Sequence, residues 1–243
     1  FVGDHIQSMT GEEAFNWLGS EYTSNSSVEG LENIPKDGKF LIVSNHPMGA
    51  ADAIALYHQI YPVRNDLFFF ANELFVYLLG AFHELLAPVV WNKEKETHSA
   101  NKVTLERLSV FFGDDRPGII FPSGRLSKLT VLGLWDRPWE KTPIALAKKY
   151  NFPLIPVYVE GRNSWFFYFA SYANKQLRDI SQLNELFNKR DKKIFIKIGK
   201  PINVSSLNDN SDIAIEQVRY KSESLRKKAL LKLNRYIYLR NFK

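Results

Sequence analysis

The chain has 243 residues, 45% of them hydrophobic and 24% charged, which is enough apolar material for one globular α/β domain with a sizeable core. A net charge of +6 and a pI near 9.3 suit an anionic partner, whether a phospholipid surface, a phosphorylated substrate, an acidic carrier protein or nucleic acid, and equally suit a basic protein with no such partner. The lack of cysteine excludes disulfides, thiolate zinc sites, iron–sulfur clusters and a covalent cysteine nucleophile. Phe1 stands where a complete chain would open on Met, so upstream sequence and a fused partner domain stay open. The N-terminus shows no secretory signal.

The spacing predicts a short helix over residues 10–20, with Thr10 as N-cap and Glu13 completing a capping box. Residues 23–38 are polar, contain Pro35 and Gly38, and read as a loop. Residues 39–44 form a strand, and 50–60 a helix stopped by Pro62. The stretch 67–91 approaches membrane-span length. It contains Asn72, Glu73, His83 and Glu84, which a lipid-facing span tolerates poorly, so it reads as a core or interfacial helix, helical over 73–81. Residues 97–112 form a helix with Val103, Leu105, Leu108 and Phe112 roughly on its spacing. A turn at 113–118 precedes the short strand 119–121, which runs into Pro122-Ser123-Gly124. A helix over 141–150 is closed by Asn151 and Pro153. The strand 154–160 is followed at once by Gly161-Arg162-Asn163-Ser164 and by the aromatic run Trp165-Phe166-Phe167-Tyr168-Phe169. That run reads as core before it reads as a face for acyl chains or a membrane. Residues 193–198 alternate as a half-exposed strand does. From 211 to about 240 runs a basic amphipathic helix, which either rests on an anionic membrane surface or packs on the domain with its charges solvated.

Strands alternating with helices predict an α/β fold with a mainly parallel (mixed) central sheet flanked by helices. The chain reads as a single domain: an N-terminal helix and loop over 1–38, a core over 39–200 and the basic helix over 211–240. Ligands of such sheets bind outside the carboxyl ends of the strands. Three predicted strands end there in polar or glycine-containing turns: Asn45-His46, Ser123-Gly124-Arg125 and Gly161-Arg162-Asn163. Their recurrence at corresponding ends points to one shared site.

His46 and Asp52 straddle a strand-to-helix turn. A carboxylate there can orient an imidazole and stabilise its charged form, and the imidazole can take a proton from a hydroxyl or amine. The plain alternative is a loop histidine beside an acid that suits the first turn of a helix. Gly124 lets the backbone approach a ligand, and Arg125 can grip a carboxylate or phosphate; the alternative is an ordinary turn with a solvated arginine. Gly161 with Arg162 can likewise bind an anion. The five histidines lack metal-ligand spacing, so no metal is expected, and no Walker loop or GxGxxG fingerprint occurs.

Three blocks in order resemble the glycerolipid (lysophospholipid) acyltransferases: Asn45-His46-Pro47 with Asp52, then Phe121-Pro122-Ser123-Gly124, then Ile155-Pro156-Val157. The phrase Asp136-Arg137-Pro138-Trp139, with Gly161-Arg162-Asn163-Ser164 downstream, is similar to the bacterial hemolysin-like branch, which includes O-acyltransferases of amino-acid lipids. The resemblance implies that His46 is the general base and Asp52 its partner. It implies an acceptor hydroxyl attacking an acyl thioester of an acyl carrier protein or coenzyme A, with backbone N–H groups near Gly124 holding the oxyanion. It further implies a lyso-lipid acceptor bound by Asn45, Ser123, Gly124, Arg125, Lys93, Arg162 and Asn163. No cofactor is implied beyond the acyl donor. The implied location is peripheral, on the cytoplasmic face of a bacterial inner membrane, against an anionic surface.

The chain departs from the family pattern in places. Five residues, Pro47 to Ala51, separate His46 from Asp52, one more than is usual and as in the hemolysin-like branch. Ser123 stands where a glutamate is usual, Arg125 one place early, and Lys93 where an arginine would help hold an acceptor phosphate. These changes favour a headgroup other than glycerol phosphate, such as one bearing a carboxylate. Phe68-Phe69-Phe70, Phe75, Tyr77, Leu78 and Leu79 are candidates for an acyl groove or membrane contact. A catalytically inactive lipid-binding module of the same fold is the rival reading. A basic nucleic-acid binder ranks last, and no nucleic acid is expected because no recognised motif for it appears.

Overall fold

The apolar run after Lys39 becomes β2 (Leu41–Ser44), buried along its whole length in the middle of a sheet. The structure, a computed structural model, describes residues 5–6, 8–72, 80–89, 98–130, 133–173, 181 and 184–226. Seven strands run in the order β1 (Ser26–Glu29), β9 (Ile194–Ile198), β8 (Leu154–Glu160), β2, β5 (Gly118–Ile120), β3 (Phe68–Asn72) and β4 (Leu86–Val89). Every pairing is parallel except β8 with β9. The sheet is therefore mixed and mainly parallel, as the pattern predicts. A separate two-stranded ribbon joins β6 (Lys128–Thr130) to β7 (Gly133–Trp135).

Successive strand side chains point to opposite faces, so each central strand feeds two cores. Ile42 and Phe69 pack with Phe15, Leu18, Ile54 and Ala55 of α1 (Gly11–Tyr22) and α2 (Ala50–Ile60). Leu41, Val43 and Phe68 pack on the other face. There they meet α3 (His98–Gly113), α4 (Thr142–Tyr150) and α6 (Ser211–Ser224) through Leu108, Ile144 and Val218. The predicted capping box closes α1: Glu13 N–H donates to Thr10 Oγ1 and Thr10 N–H to Glu13 Oε2.

Three expectations fail in the same direction. Among its described residues the stretch 67–91 contains two parallel strands, β3 and β4, and a 3₁₀ turn (Gly80–Leu85), so it is not one helix; the helix expected over 73–81 lies almost wholly outside the described residues. A strand buried on both faces is apolar without alternation, so its sequence mimics a buried helix. Phe68, Phe69 and Phe70 are at most 6% exposed and fill the two cores, so they do not form the membrane contact expected of them. Phe75, Tyr77, Leu78 and Leu79 lie outside the described residues. The presumed loop 23–38 hides the edge strand β1, which alternates in burial and pairs with β9 from Ser26↔Ile194 onward. In α3, Val103 and Leu105 are exposed while Leu108, Phe111 and Phe112 face the core.

The aromatic run folds as α5 (Trp165–Ala173). Phe167 and Ala170 point inward, but Trp165, Phe166 and Phe169 are 69%, 67% and 73% exposed, against the expectation of core. The C-terminal helix is described only through α6 and Arg226, so the rest of the predicted basic helix lies outside the described residues. Among the described residues no helix is long and apolar enough to cross a membrane.

Candidate active site

β8, β2 and β5 are adjacent and parallel, so their carboxyl ends open on the same edge of the sheet. The chain leaves β2 through Asn45 and His46 and enters α2 within six residues. Gly49, at φ 82° and ψ −132°, makes that turn possible, because a side chain is scarcely tolerated in this backbone region. Asp52 lies in the first turn of α2 with its carboxylate folded back. Its Oδ2 accepts from Met48 N at 2.8 Å and Gly49 N at 3.0 Å.

His46 Nδ1 lies 3.0 Å from the same Oδ2. The contact is of ion-pair length, with the Nδ1 direction bent off the line of an ideal hydrogen bond. Asp52 is wholly buried and the His46 side chain is 19% exposed. Burial raises the Asp52 carboxyl above its ordinary range, opposed by His46 and by the Met48 and Gly49 amides. The imidazole stacks on Phe121 with ring centroids 4.0 Å apart. With Nδ1 enclosed beside Asp52, Nε2 is the ring nitrogen left to handle a substrate proton.

A second carboxylate holds the turn from outside. Asp136 Oδ1 accepts from His46 N at 3.2 Å and from Ser127 Oγ at 2.7 Å, while its Oδ2 accepts from Trp139 Nε1 at 2.8 Å. Ser127 N donates to His46 O, and Arg219 donates to the Asp136 carbonyl. Sequence reasoning noted Asp136 and Trp139 as part of a phrase but gave them no task. The only signal was that phrase; the partners lie as far as 90 positions away.

A cleft of about 610 Å³ runs beside the His46 turn, within the size range of small-molecule sites. Asn45, Pro47 and Met48 border it on one side, and Glu160 through Trp165 on another. Asn45 of the first strand-end turn and Gly161, Arg162 and Asn163 of the third line this cavity, with His46 set just behind Asn45 and Pro47 and not itself in the lining; Ser123, Gly124 and Arg125 of the second are not part of it either. Gly124 N–H donates to Phe121 O and Ser123 Oγ to Arg125 O, so the turn is closed on itself. The Gly124 amide expected near an oxyanion is thereby occupied. Arg125 is exposed, and Lys93 lies outside the described residues.

Asn45 is buried, and its amide bonds Val159 in both directions, accepting from N at 2.7 Å and donating to O at 2.8 Å. It ties the end of β2 to β8 instead of presenting that amide to a ligand. Asn163 is 3% exposed and lines the cleft, with neither side-chain polar atom partnered. Arg162 is exposed at the mouth, 5.6 Å from the Trp165 ring. The loop is held close to the catalytic turn, since a Cβ on Gly161 would stand 2.4 Å from Met48 Sδ. Lining residues missed by the sequence reading include Lys192, Lys193, Glu223 and Arg226.

A protein-family profile described as Acyltransferase matches residues 12–236. The chain belongs to this acyltransferase family. Two lyso-glycine lipid O-acyltransferases, from Phocaeicola vulgatus and Bacteroides thetaiotaomicron, are each 32% identical over 182 residues, or 72% of the chain. The aligned part spans 63% and 65% of those relatives' own lengths. Among solved structures, the 1-acyl-sn-glycerophosphate (LPA) acyltransferase PlsC from Thermotoga maritima superposes with a TM-score of 0.52 at 20% identity. That match covers 89% of this chain and 76% of PlsC, and shows a shared fold. These matches bear out the resemblance read from Asn45-His46-Pro47 and Asp52.

Proposed function

We propose that the chain moves a fatty acyl group from a thioester, carried by an acyl carrier protein or coenzyme A, to the hydroxyl of a lyso-lipid. His46 Nε2 takes the acceptor hydroxyl proton, the freed oxygen adds to the thioester carbonyl, and the tetrahedral adduct expels the thiolate. The thiolate leaves with the proton from the imidazolium, so base and acid are one residue used twice. Asp52 holds the ring and offsets its charge in the protonated state. The observation that carries the reading is the buried His46–Asp52 contact at 3.0 Å, beside an open cleft at the strand ends.

The lining supports an acceptor that bears a carboxylate. Arg162, Lys192, Lys193 and Arg226 suit a carboxylate, and the unpartnered Asn163 amide offers a donor and an acceptor to a peptide-like bond. An N-acylated amino acid with a free hydroxyl presents both, in line with the lyso-glycine lipid O-acyltransferase activity for which the two relatives are named. The site of action is the cytoplasmic face of the inner membrane, with the enzyme peripheral. The test is thiol release from acyl carrier protein and coenzyme A thioesters, offered lyso-glycine lipid or lysophosphatidic acid. Release with lyso-glycine lipid is expected; folded protein that releases no thiol with any lyso-lipid would defeat the reading.

Asp52→Asn separates catalysis from folding. Asparagine keeps an oxygen for the Met48 and Gly49 amides but removes the negative charge, and turnover is expected to drop about 10²- to 10⁴-fold. Because burial raises the folded-state value, the stability contribution of this group is complete below the unfolded value of about 3.9 and is lost as pH rises through the folded one. A neutral side chain removes that loss, so the melting temperature at pH 7 should stay level or rise. Thermal unfolding beside turnover decides this; a clear fall in melting temperature would make Asp52 a structural residue instead.

A further inference from the structure

The exposed side of α5 stands out from the rest of the surface. Trp165, Phe166 and Phe169 lie at positions i, i+1 and i+4, one stripe of the helix, while the opposite side is anchored by Phe167 and Ala170. Large aromatics on an outer helix face are uncommon unless something covers them. The stripe is continuous with the cleft, since Trp165 lines it beside Arg162. Lys192 and Lys193 stand exposed on the same lining, whose acids are Asp136, Glu160 and Glu223, and Asp191 adjoins them in sequence. Below, the stripe is firmly seated: Ser164 N and Oγ donate to Glu185, which pairs with Lys189.

We propose that this aromatic stripe is the membrane-docking element of the protein, that it inserts into the interfacial layer of an anionic bilayer, and that it sets the mouth of the cleft against the lipid. Tryptophan and phenylalanine favour that layer, and cations beside them attract acidic headgroups. Arg162, Lys192 and Lys193 provide this complement at the edge where the stripe meets the cleft. A lyso-lipid then passes from bilayer to cleft without crossing water. The inference rests on the acceptor being a lipid, as proposed above, and names the surface that meets it.

The double variant Phe166→Ser/Phe169→Ser tests it, since neither residue lines the cleft. Co-sedimentation with vesicles of phosphatidylcholine containing phosphatidylglycerol should show binding that falls with added salt, and roughly tenfold weaker binding by the variant. Unchanged circular dichroism and melting temperature confirm that it is folded. Transfer to a lyso-lipid embedded in vesicles should fall in parallel, while transfer to a short-chain, water-soluble acceptor should not. Equal vesicle binding by variant and parent overturns the proposal. So does equal binding to vesicles with and without phosphatidylglycerol, and so does a variant that loses only acyl carrier protein binding. If vesicle binding depends on the aromatics but the parent transfers no acyl group to either acceptor, the docking face stands and the catalytic reading falls.

Discussion

His46→Ala is expected to lower acyl transfer about 10²- to 10⁴-fold and to leave the fold in place. The imidazole is the titratable group with a ring nitrogen left over at the strand ends, and no cysteine exists to replace it by covalent chemistry. Its loss removes one aromatic contact with Phe121, worth about 0.5–1.5 kcal/mol. Asp52 then loses the imidazole beside it, but the carboxyl already binds a proton more tightly than usual and keeps two amide donors. The melting temperature should therefore move by only a few degrees, on the order of 2–4 °C per kcal/mol in a chain of this size. Single-turnover thiol release with saturating acceptor separates chemistry from binding. A variant that retains a tenth or more of parental turnover would remove His46 from the mechanism.

The second large effect is on stability. Lys189 is 1% exposed, and its Nζ lies 2.7 Å from Glu185 Oε2. Glu185 also accepts from Ser164 N at 2.9 Å and from Ser164 Oγ, so one buried carboxylate fastens the loop bearing Arg162 and Asn163 to the segment before β9. Lys189→Met strands that carboxylate and is expected to cost about 3–5 kcal/mol, or roughly 10 °C or more in melting temperature. Burial alone would raise the Glu185 carboxyl, but Lys189 and the Ser164 donors outweigh it and hold it below its ordinary range. A lowered folded-state value stabilises above the unfolded value of about 4.3, and the benefit disappears as pH falls through the folded one. Parent protein should thus lose stability below about pH 4, and the variant should lack that acid-sensitive component. Adding Glu185→Gln to Lys189→Met keeps an acceptor for Ser164 and should recover more than 1.5 kcal/mol. No recovery in thermal or urea unfolding would mean that lost packing, not stranded charge, is the cause.

Much of the scaffold was legible because its signals are local. The run at 39–44, the helix over 50–60 and the strand over 154–160 announce themselves by period, length and flanking proline or glycine, and β2, α2 and β8 fall within a residue or two of them. The pairing of His46 with Asp52 was legible for the same reason, since the turn between them is short. Phe68-Phe69-Phe70 was not, because a strand covered on both faces has no alternation to display. Nor was β1, whose four mostly polar residues are a strand only because β9 lies alongside. The aromatic run could be neither placed on a helix nor turned inward or outward, since nearly every position in it is apolar. Asp136 shows the limit for the site: its value lies in partners from distant segments. Ser123, Gly124 and Arg125 show the converse, for a motif at the end of the neighbouring strand is closed on its own turn.

The last feature concerns time. Asp136 braces the backbone of His46, and α6 reaches that brace through Arg219, about 170 positions after the histidine. β1 finds its partner only when Ile194 and its neighbours exist. At ribosomal speeds of about 5–20 residues per second, the nascent chain carries its histidine and aspartate for roughly ten seconds or more before their supports emerge. The turn that carries both side chains is therefore among the last parts of the molecule to gain its full set of backbone supports.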